Sequence, residues 1–404
     1  MPCYILIPDM AVITGSGVYW GVTVSLHEGV TMDKKVQDSQ EMLTNEKTEE
    51  TGRKKVKFVK NVPLLIAEIV ILLIAIGVMY IVVTTTTEVD RKAIDIENIT
   101  INDEVAENLN EKEESTTLGY RNIALFGVDS REGELGKGTR SDSMIIASIN
   151  QDTQEIKLIS VFRDTYLNLS NDTYNKCNAA YAKGGPEQAI SMMNANMDLN
   201  ITDYVTVGFG GLIDAINALG GIEIDVTESE ISHLNNYQLC MAEEMGVSYI
   251  PVEKSGKQLL NGMQATAYCR IRYTKGDDFR RAERQRDVLS AMMTKAKGAS
   301  VSELTDVVNA VLPQVETSLG VNEILSVLGS VAGYDVVVSD GFPFEEYRVG
   351  ANVGSKGSCV IPNDLEENVI HLHELLYPEE QYTPSKQVQT ISAEIKEQTR
   401  EFTQ

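Results

Sequence analysis

Six arginines fall between Arg270 and Arg286 in the stretch YCRIRYTKGDDFRRAERQRD, residues 268–287, of a 404-residue chain with a formal charge of −24. So much guanidinium in one place in an acidic chain points to a single bound anion. The stretch reads as a strand TAYCRIRY, a turn TKGDD and a helix starting near FRRAERQRD, which sets Arg270 and Arg272 on one strand face. On the helix, the apolar stripe of Leu289, Met292, Met293 and Ala296 continues N-terminally through Arg281, Arg284 and Gln285. Arg280, Glu283 and Asp287 take the opposite face, with Arg286 at the boundary, and read as surface charge. Four inward arginines and a glutamine thus converge on a helix N-terminus, where free N–H groups and the helix dipole favour phosphate and arginine forks match its oxygens. Pairing with an internal carboxylate is the competing expectation for each arginine taken singly.

Two further groups stand at strand ends, where loops gather functional residues. LFGVDSR places Asp129 just beyond an apolar strand, and GTRSDSM places Arg140 and Asp142 just before the next. LISVFRDTYL brings Arg163 and Asp164 to the end of a third, with Lys176 and Asn178 following. For each aspartate alone, turn formation or capping is the plainer expectation. Together, Asp129 and Asp142 beside a phosphate suit Mg²⁺ or Mn²⁺, which takes one or two carboxylates and completes its shell with phosphate and water. Such a set suits chemistry at a phosphate, where positioning, a metal and cationic charge supply most of the catalysis. Asp129 or Asp278 is the candidate acceptor of the incoming hydroxyl proton. No Cys/His spacing suggests zinc. Cys177, Cys240, Cys269 and Cys359 allow three complete disulfide pairings, and the sequence does not choose among them.

The elements that must hold these groups alternate. NIALFGVD, SMIIASI, IKLISVF, IEIDV and YDVVVSD read as strands, and GPEQAISMMNANM, FGGLIDAINALGG and the stretch from Asp277 or Asp278 through VLSAMMTKAKG as helices. The fold class expected is α/β, a layered α/β/α domain with a central mixed sheet, preceded by one transmembrane helix. That helix is VPLLIAEIVILLIAIGVMYIVV, residues 62–83, with Glu68 its one misfit, read as an uncleaved anchor. Arg53, Lys54, Lys55, Lys57 and Lys60 precede it, so the N-terminus is expected in the cytoplasm and everything after about residue 84 outside. The boundaries expected are a cytoplasmic tail at 1–60, the span at 61–84, a polar stalk at 85–118, the catalytic domain at 119–380 and a tail at 381–404. Residues 1–31 do not resemble the polar tail after them, and Met32 is the expected true start. Phe209, Leu212, Ile213 and Ile216 are candidates for a lipid pocket, or equally for core. With 59 Asp plus Glu against 35 Lys plus Arg, general nucleic-acid binding is excluded.

The motifs NIALFGVDSR, RSDSMIIASIN, LISVFRDTY, NAAYAKGG, IDAINALGGIEIDV, LNGMQATAYCRIRY and DDFRRAERQ, in that order, resemble the LytR-CpsA-Psr proteins of bacterial envelopes over about residues 52–376. The resemblance implies transfer of a glycopolymer phosphate from a polyprenyl-pyrophosphate carrier to peptidoglycan. It further implies that Asp129 and Asp142 bind the metal, that Arg163, Arg270, Arg272 and Arg281 bind pyrophosphate, and that Arg140 and Gln285 support them. The chain departs from the family pattern at Phe162, where Pro is usual, and at Arg280, where Gly is usual. Two other functions compete: a regulatory membrane protein, as an older family label of transcriptional attenuator suggests, and a domain that binds or hydrolyses lipid pyrophosphates without transfer. The polar N-terminal tail carries no recognisable helix-turn-helix. The polymer itself, whether teichoic acid, capsular polysaccharide or another, is not specified by the sequence.

Overall fold

A computed structural model describes residues 98–111, 119–129, 135–136, 138–272 and 277–403. The expected span at 62–83, the tail before it, Met32 and part of the stalk lie outside these residues. Among the described residues no helix is long and apolar enough to cross a membrane.

The elements run α1 (Asp103–Glu111), β1 (Tyr120–Val128), β2 (Ser141–Asn150), β3 (Glu155–Val161), β4 (Tyr166–Asn168), β5 (Tyr174–Lys176), α2 (Asn178–Met197), β6 (Asp203–Gly208) and α3 (Phe209–Ala218). There follow β7 (Ile222–Val226), α4 (Glu228–Met245), β8 (Gly256–Leu260), α5 (Gly262–Arg270), α6 (Asp277–Lys297), α7 (Val301–Val311), β9 (Val315–Thr317) and α8 (Val321–Ser330). The chain ends with β10 (Asp335–Phe342), β11 (Arg348–Asn352), β12 (Ser358–Pro362), α9 (Leu365–Leu376) and α10 (Lys386–Thr399).

Six strands form the central sheet in the order β10-β3-β2-β1-β6-β9. The β1–β6 and β3–β10 pairs are parallel and the others antiparallel, so the sheet is mixed, as expected. Both faces are covered, and the period of two along a strand shows how. On β2, Met144 and Ile146 pack into the cluster that includes Ile190 and Met193 of α2, whereas Ile145 and Ala147 face Leu289 and Met293 of α6. The pairing of β1 with β2 is irregular at its functional end. Gly127 lies opposite Ser143 but Val128 opposite Ser141, which leaves Asp142 as the extra residue of a bulge. Such a bulge re-aims the side chain it carries. A Cβ on Gly127 would come within 3.0 Å of Ser143 Cβ, so the close approach at this point suits glycine.

Residues 266–270 of the stretch expected as the strand TAYCRIRY are instead the end of α5. Asn261 accepts from the Gln264 backbone N–H while the Gln264 side chain accepts from the Asn261 N–H, a reciprocal cap that starts a helix. Buried Ala265, Ala267 and Tyr268 then pack with Ile222, Ile224 and Leu234, which holds the segment helical as far as Arg270.

The expected C-terminal tail at 381–404 also differs, because α10 is packed on the domain. Val388, Ile391 and Ile395 join the main core, each contributing about 1.5–3 kcal/mol by burial. Asp198, in the left-handed region at φ 49° at the end of α2, fastens the segment around Asn102 and the approach to α10. Its carboxylate accepts from Asn102 Nδ2, from Tyr382 Oη at 2.5 Å, and from the Ser385 N–H and Oγ at 2.8 and 2.7 Å. Folded structure therefore begins upstream of residue 120, within the expected stalk, where Ile99 is also in the core.

His373 of α9 stacks on Tyr382 at 3.6 Å, and its Nε2–H donates to the Met197 carbonyl at 2.8 Å. Burial pushes its pKa down to about 4, with the Met197 carbonyl and Asp198 opposing. A histidine that stays neutral when folded and charges when unfolded makes the unfolded state bind more protons between its ordinary pKa near 6.5 and 4. Stability is therefore full above about 6.5 and falls by about 3 kcal/mol as the pH drops through that window. Urea denaturation at pH 7 and 4.5 checks this: His373→Gln, which keeps the donor and loses the titration, should show a smaller difference than wild type.

Candidate functional site

The end of β3, the bulge of β2 and the first turns of α6 meet at a group of arginines and aspartates. Arg163 Nη1 donates to Asp142 Oδ1 at 2.8 Å, and Arg272 Nη2 donates to Asp142 Oδ2 at 3.2 Å. Asp164 lies 3.4 Å from Arg163 Nε and 2.9 Å from Lys176 Nζ. Burial acts to raise the Asp164 pKa, but Lys176, Arg163 and a hydrogen bond with Asp278 hold it below the usual carboxylate range. Asp278, on the first turn of α6, stands between Arg163 Nη2 at 3.6 Å and Arg281 Nη1 at 3.0 Å.

Arg281 is the least compensated member. It is 4% exposed, and neither its Nε nor its Nη1 makes a hydrogen bond, Nη1 having only the ion-pair contact with Asp278. Burial, then repulsion from Arg163 and, more weakly, Arg272, pushes the guanidinium down to about 10, with Asp278 only partly offsetting them. Buried charge without full hydrogen bonding is costly. An anion placed among Arg163, Arg272 and Arg281 would reverse that cost, and Asp278 fills part of its place here.

Three spaces join at this group. A cavity of about 240 Å³ is lined by Asp142, Arg163, Asp278, Arg281 and Gln285, with Phe162 and Phe279 beside them and Gly350, Ser358 and Val360 of the β11–β12 hairpin among its other walls. It shares Asp142, Ser143 and Gln285 with an apolar cavity of about 170 Å³ lined by Leu125, Val205, Val207, Phe209, Leu212 and Leu289. It shares Asp142, Arg163 and Asp164 with a polar cleft of about 660 Å³ that adds Asp129, Arg140, Lys176 and Lys356. An anion-binding centre between a greasy slot and a wet cleft suits an amphipathic phosphate ester.

The profile of the LytR_cpsA_psr family matches residues 83–353. The chain belongs to the LytR-CpsA-Psr family. Among its relatives in that family, the Bacillus subtilis polyisoprenyl-teichoic acid–peptidoglycan teichoic acid transferase TagV is 31% identical over 217 residues, which is 52% of this chain and 53% of TagV. Biofilm regulatory protein A of Streptococcus mutans is 31% identical over 224 residues, 52% of each chain. The chain thus spans about half the length of these curated relatives. The crystal structure of B. subtilis TagV superposes with a TM-score of 0.51 at 28% identity, covering 66% of this chain and 98% of that one. A Streptococcus agalactiae protein superposes at 0.53 and 25% identity, covering 68% and 93%.

Of the arginines expected as ligands in this LytR-CpsA-Psr chain, the structure gathers Arg163, Arg272 and Arg281 and sends two elsewhere. Arg270, at the end of a helix and not on a strand shared with Arg272, stacks over Phe209 at 4.5 Å and Tyr237 at 5.6 Å. Arg284 is 1% exposed, and its Nε donates to Glu230 Oε1 at 2.8 Å and its Nη1 to the Ile271 carbonyl at 3.1 Å. It is a structural counterion, the competing expectation for a single arginine, and not part of the cradle. Arg286, expected at the surface, is 6% exposed and donates to Ser160 Oγ at 2.7 Å and Ser339 Oγ at 2.9 Å. It fixes α6 to β3 and β10. Arg280, also expected at the surface, is half-buried, with Nη1 2.6 Å from Glu283 and Nη2 3.8 Å from the buried Glu230 carboxylate. Gln285 lies where the central and apolar cavities meet, and Asp129 and Arg140 stand further out along the cleft.

Of the candidate lipid-pocket residues, Phe209 and Leu212 line the apolar cavity, while Ile213 and Ile216 are buried in a core cluster. Cys177, Cys240, Cys269 and Cys359 are all free thiols. Lys356, Phe279 and the hairpin residues were not legible as site residues. The hairpin reaches the site through a long-range bridge between Thr165 and Val360 and a bond from the Val360 N–H to the Asp164 carbonyl at 2.9 Å, which leaves no local pattern.

The carboxylates expected to hold a divalent cation are partly engaged, both oxygens of Asp142 accepting from Arg163 and Arg272. Among the described residues no group of three Asp, Glu, His or Cys side chains could enclose a metal. Asp129 and Asp142 line the same polar cleft, together with Asp164, and one or two carboxylates there are compatible with an ion that completes its shell with water and phosphate.

Proposed function

We propose that this protein is a membrane-anchored, metal-dependent phosphotransferase that moves a glycopolymer phosphate from a polyprenyl-pyrophosphate carrier to peptidoglycan. The observation that carries the proposal is the buried, under-bonded Arg281 beside Arg163 and Arg272, which calls for a phosphate-type anion. The name of the TagV relative supports the choice of teichoic-acid-like donor and peptidoglycan acceptor.

In this reading the pyrophosphate lies among Arg163, Arg272 and Arg281, with Gln285 at its lipid end. The first part of the polyprenyl chain enters the apolar cavity, whose volume admits the head of such a lipid and not its full length. Asp129 and Asp142 would hold Mg²⁺ or Mn²⁺, which supplies positive charge to the phosphate oxygens. Arg163 and Arg281 stabilise charge on the bridging and leaving oxygens, fixed donors being most effective in a site that excludes water. Asp278, ion-paired to both, is the carboxylate placed to take the hydroxyl proton once the pyrophosphate replaces it as counterion. The segment 62–83 anchors the chain with its catalytic part outside the cell.

The test is a transfer assay with the full-length protein, a polyprenyl-pyrophosphate glycan, Mg²⁺ and a peptidoglycan acceptor. A phosphodiester-linked glycan on the acceptor is the expected product. Binding of the lipid with no linked product from any acceptor would show a binding module instead. A comparison of wall-linked glycans with and without the gene would identify the polymer.

A further inference from the structure

We propose that the tip of the β11–β12 hairpin is an oxyanion subsite in which Lys356 takes a carboxylate of the incoming acceptor, apart from the phosphate bound by Arg163, Arg272 and Arg281. The inference rests on the transfer reading above and adds what selects the acceptor.

The tip is a fixed turn. The hairpin register runs from Arg348 opposite Pro362 to Asn352 opposite Ser358. Beyond that last pair the Val353 N–H donates to the Gly357 carbonyl at 2.9 Å, and the Lys356 N–H donates to the Val353 carbonyl at 2.8 Å. Val353 belongs to the main core, and Gly354 and Gly357 take positive φ values of 46° and 72°, which glycine adopts freely. The backbone at residue 356 therefore has a set place beside the cleft.

Lys356 is the cation this turn delivers. It is half-buried and lines the polar cleft with Arg140 and Lys176. Lys176 is paired with Asp164 at 2.9 Å, whereas among the described residues Lys356 has no ion pair. In a chain of charge −24, a half-buried ammonium without a counterion calls for an anion from outside. The carboxylates of the cleft do not supply one. Both Asp142 oxygens accept from Arg163 and Arg272, Asp164 is held by Lys176 and Arg163, and a divalent cation on Asp129 and Asp142 would add positive charge. Ser355 and Asn175 add hydrogen-bonding groups to the same cleft. Ser355 and Lys356 lie just beyond the matched segment 83–353, so the family profile does not cover the tip.

The geometry of the reaction names the ligand. Displacement at phosphorus sets the attacking and leaving oxygens in line. The apolar cavity and the polar cleft join the central cavity at different residues, with Asp142 alone lining all three. With the lipid phosphate leaving towards the apolar cavity, the acceptor hydroxyl enters from the polar cleft, where Lys356 stands unpaired. Peptidoglycan carries carboxylates on its peptide stems, and a carboxylate makes a charge-assisted hydrogen bond with an ammonium.

The test uses the full-length protein in the transfer assay with two acceptors, a disaccharide–peptide with free carboxylates and the same molecule fully amidated. Wild type should show an acceptor KM about tenfold higher for the amide, the size of one hydrogen-bonded charge contact. Lys356→Gln should raise the KM for the free acid about tenfold while the amide KM, kcat and inorganic pyrophosphate binding all stay within about twofold. Lys356→Arg should restore the preference for the free acid. An undiminished preference in Lys356→Gln, or no preference in wild type, overturns the subsite. A rise in donor KM in place of acceptor KM, seen only with a phosphate-bearing polymer, overturns the acceptor assignment and gives Lys356 to the donor. Should wild type form no linked product, the transfer reading falls by itself. The subsite is then judged by calorimetric titration of both acceptors against pyrophosphate-saturated protein, where equal affinity for acid and amide overturns it.

Discussion

Arg281→Ala should lower the rate of glycan transfer by about three orders of magnitude, comparable to removing a preorganised charge donor from a transition state. Folding should not suffer, because the native side chain is buried with Nε and Nη1 unbonded and its charge repelled by Arg163. Removing it relieves an electrostatic cost in the ligand-free protein, so thermal stability should be unchanged or rise. Activity and stability moving in opposite directions is the signature of a residue kept for its ligand. Arg281→Lys should recover little, since an ammonium cannot present two parallel donors to phosphate oxygens. Kinetics with and without denaturation curves on the same preparations check both halves.

Glu230→Gln should do the reverse, damaging the fold through a site the substrate does not touch. Glu230 is 2% exposed and is the counterion of Arg284, and it also closes the cap of α4 by accepting from the Thr227 N–H at 2.8 Å. Burial acts to raise its pKa, but the Thr227 hydrogen bonds and Arg284 hold it below the usual range. Leaving the Arg284 charge without that carboxylate should cost about 3–5 kcal/mol in urea denaturation. Replacing both partners, Glu230→Leu with Arg284→Met, should recover most of the loss, because a buried pair exchanged for apolar groups is often neutral. A Glu230→Gln protein as stable as wild type would show that the pair is not structurally important.

These two arginines, Arg281 and Arg284, show how far the sequence could be read. Both sit on the inward stripe of one helix, and helical spacing alone gives them the same role. What separates them is Glu230, which lies 54 positions upstream and reaches Arg284 only after α4 folds against α5 and α6. Arg270 departs from the strand expectation for a different reason. The capping pair Asn261 and Gln264 was present in the sequence, but the apolar, β-branched and aromatic residues around it favoured a strand. The place of Asp142 before a strand is legible, whereas the bulge that aims it depends on the register with β1. The mixed sheet and its two helical layers were legible because their strands are apolar runs separated by turn residues. The β11–β12 hairpin and α10 owe their places to distant contacts, at Thr165 and at Asp198, and no local pattern announces them.

The most direct test of the cradle is calorimetric titration of the full-length protein with inorganic pyrophosphate in Mg²⁺, comparing wild type with Arg281→Ala and Arg270→Ala. Wild type and Arg270→Ala should bind one pyrophosphate per chain with similar affinity, and Arg281→Ala should lose binding by at least about a hundredfold, as loss of a bidentate charged contact implies. Equal losses in the two variants, or unaltered binding in Arg281→Ala, would contradict the assignment of the anion to the Arg163–Arg272–Arg281 group.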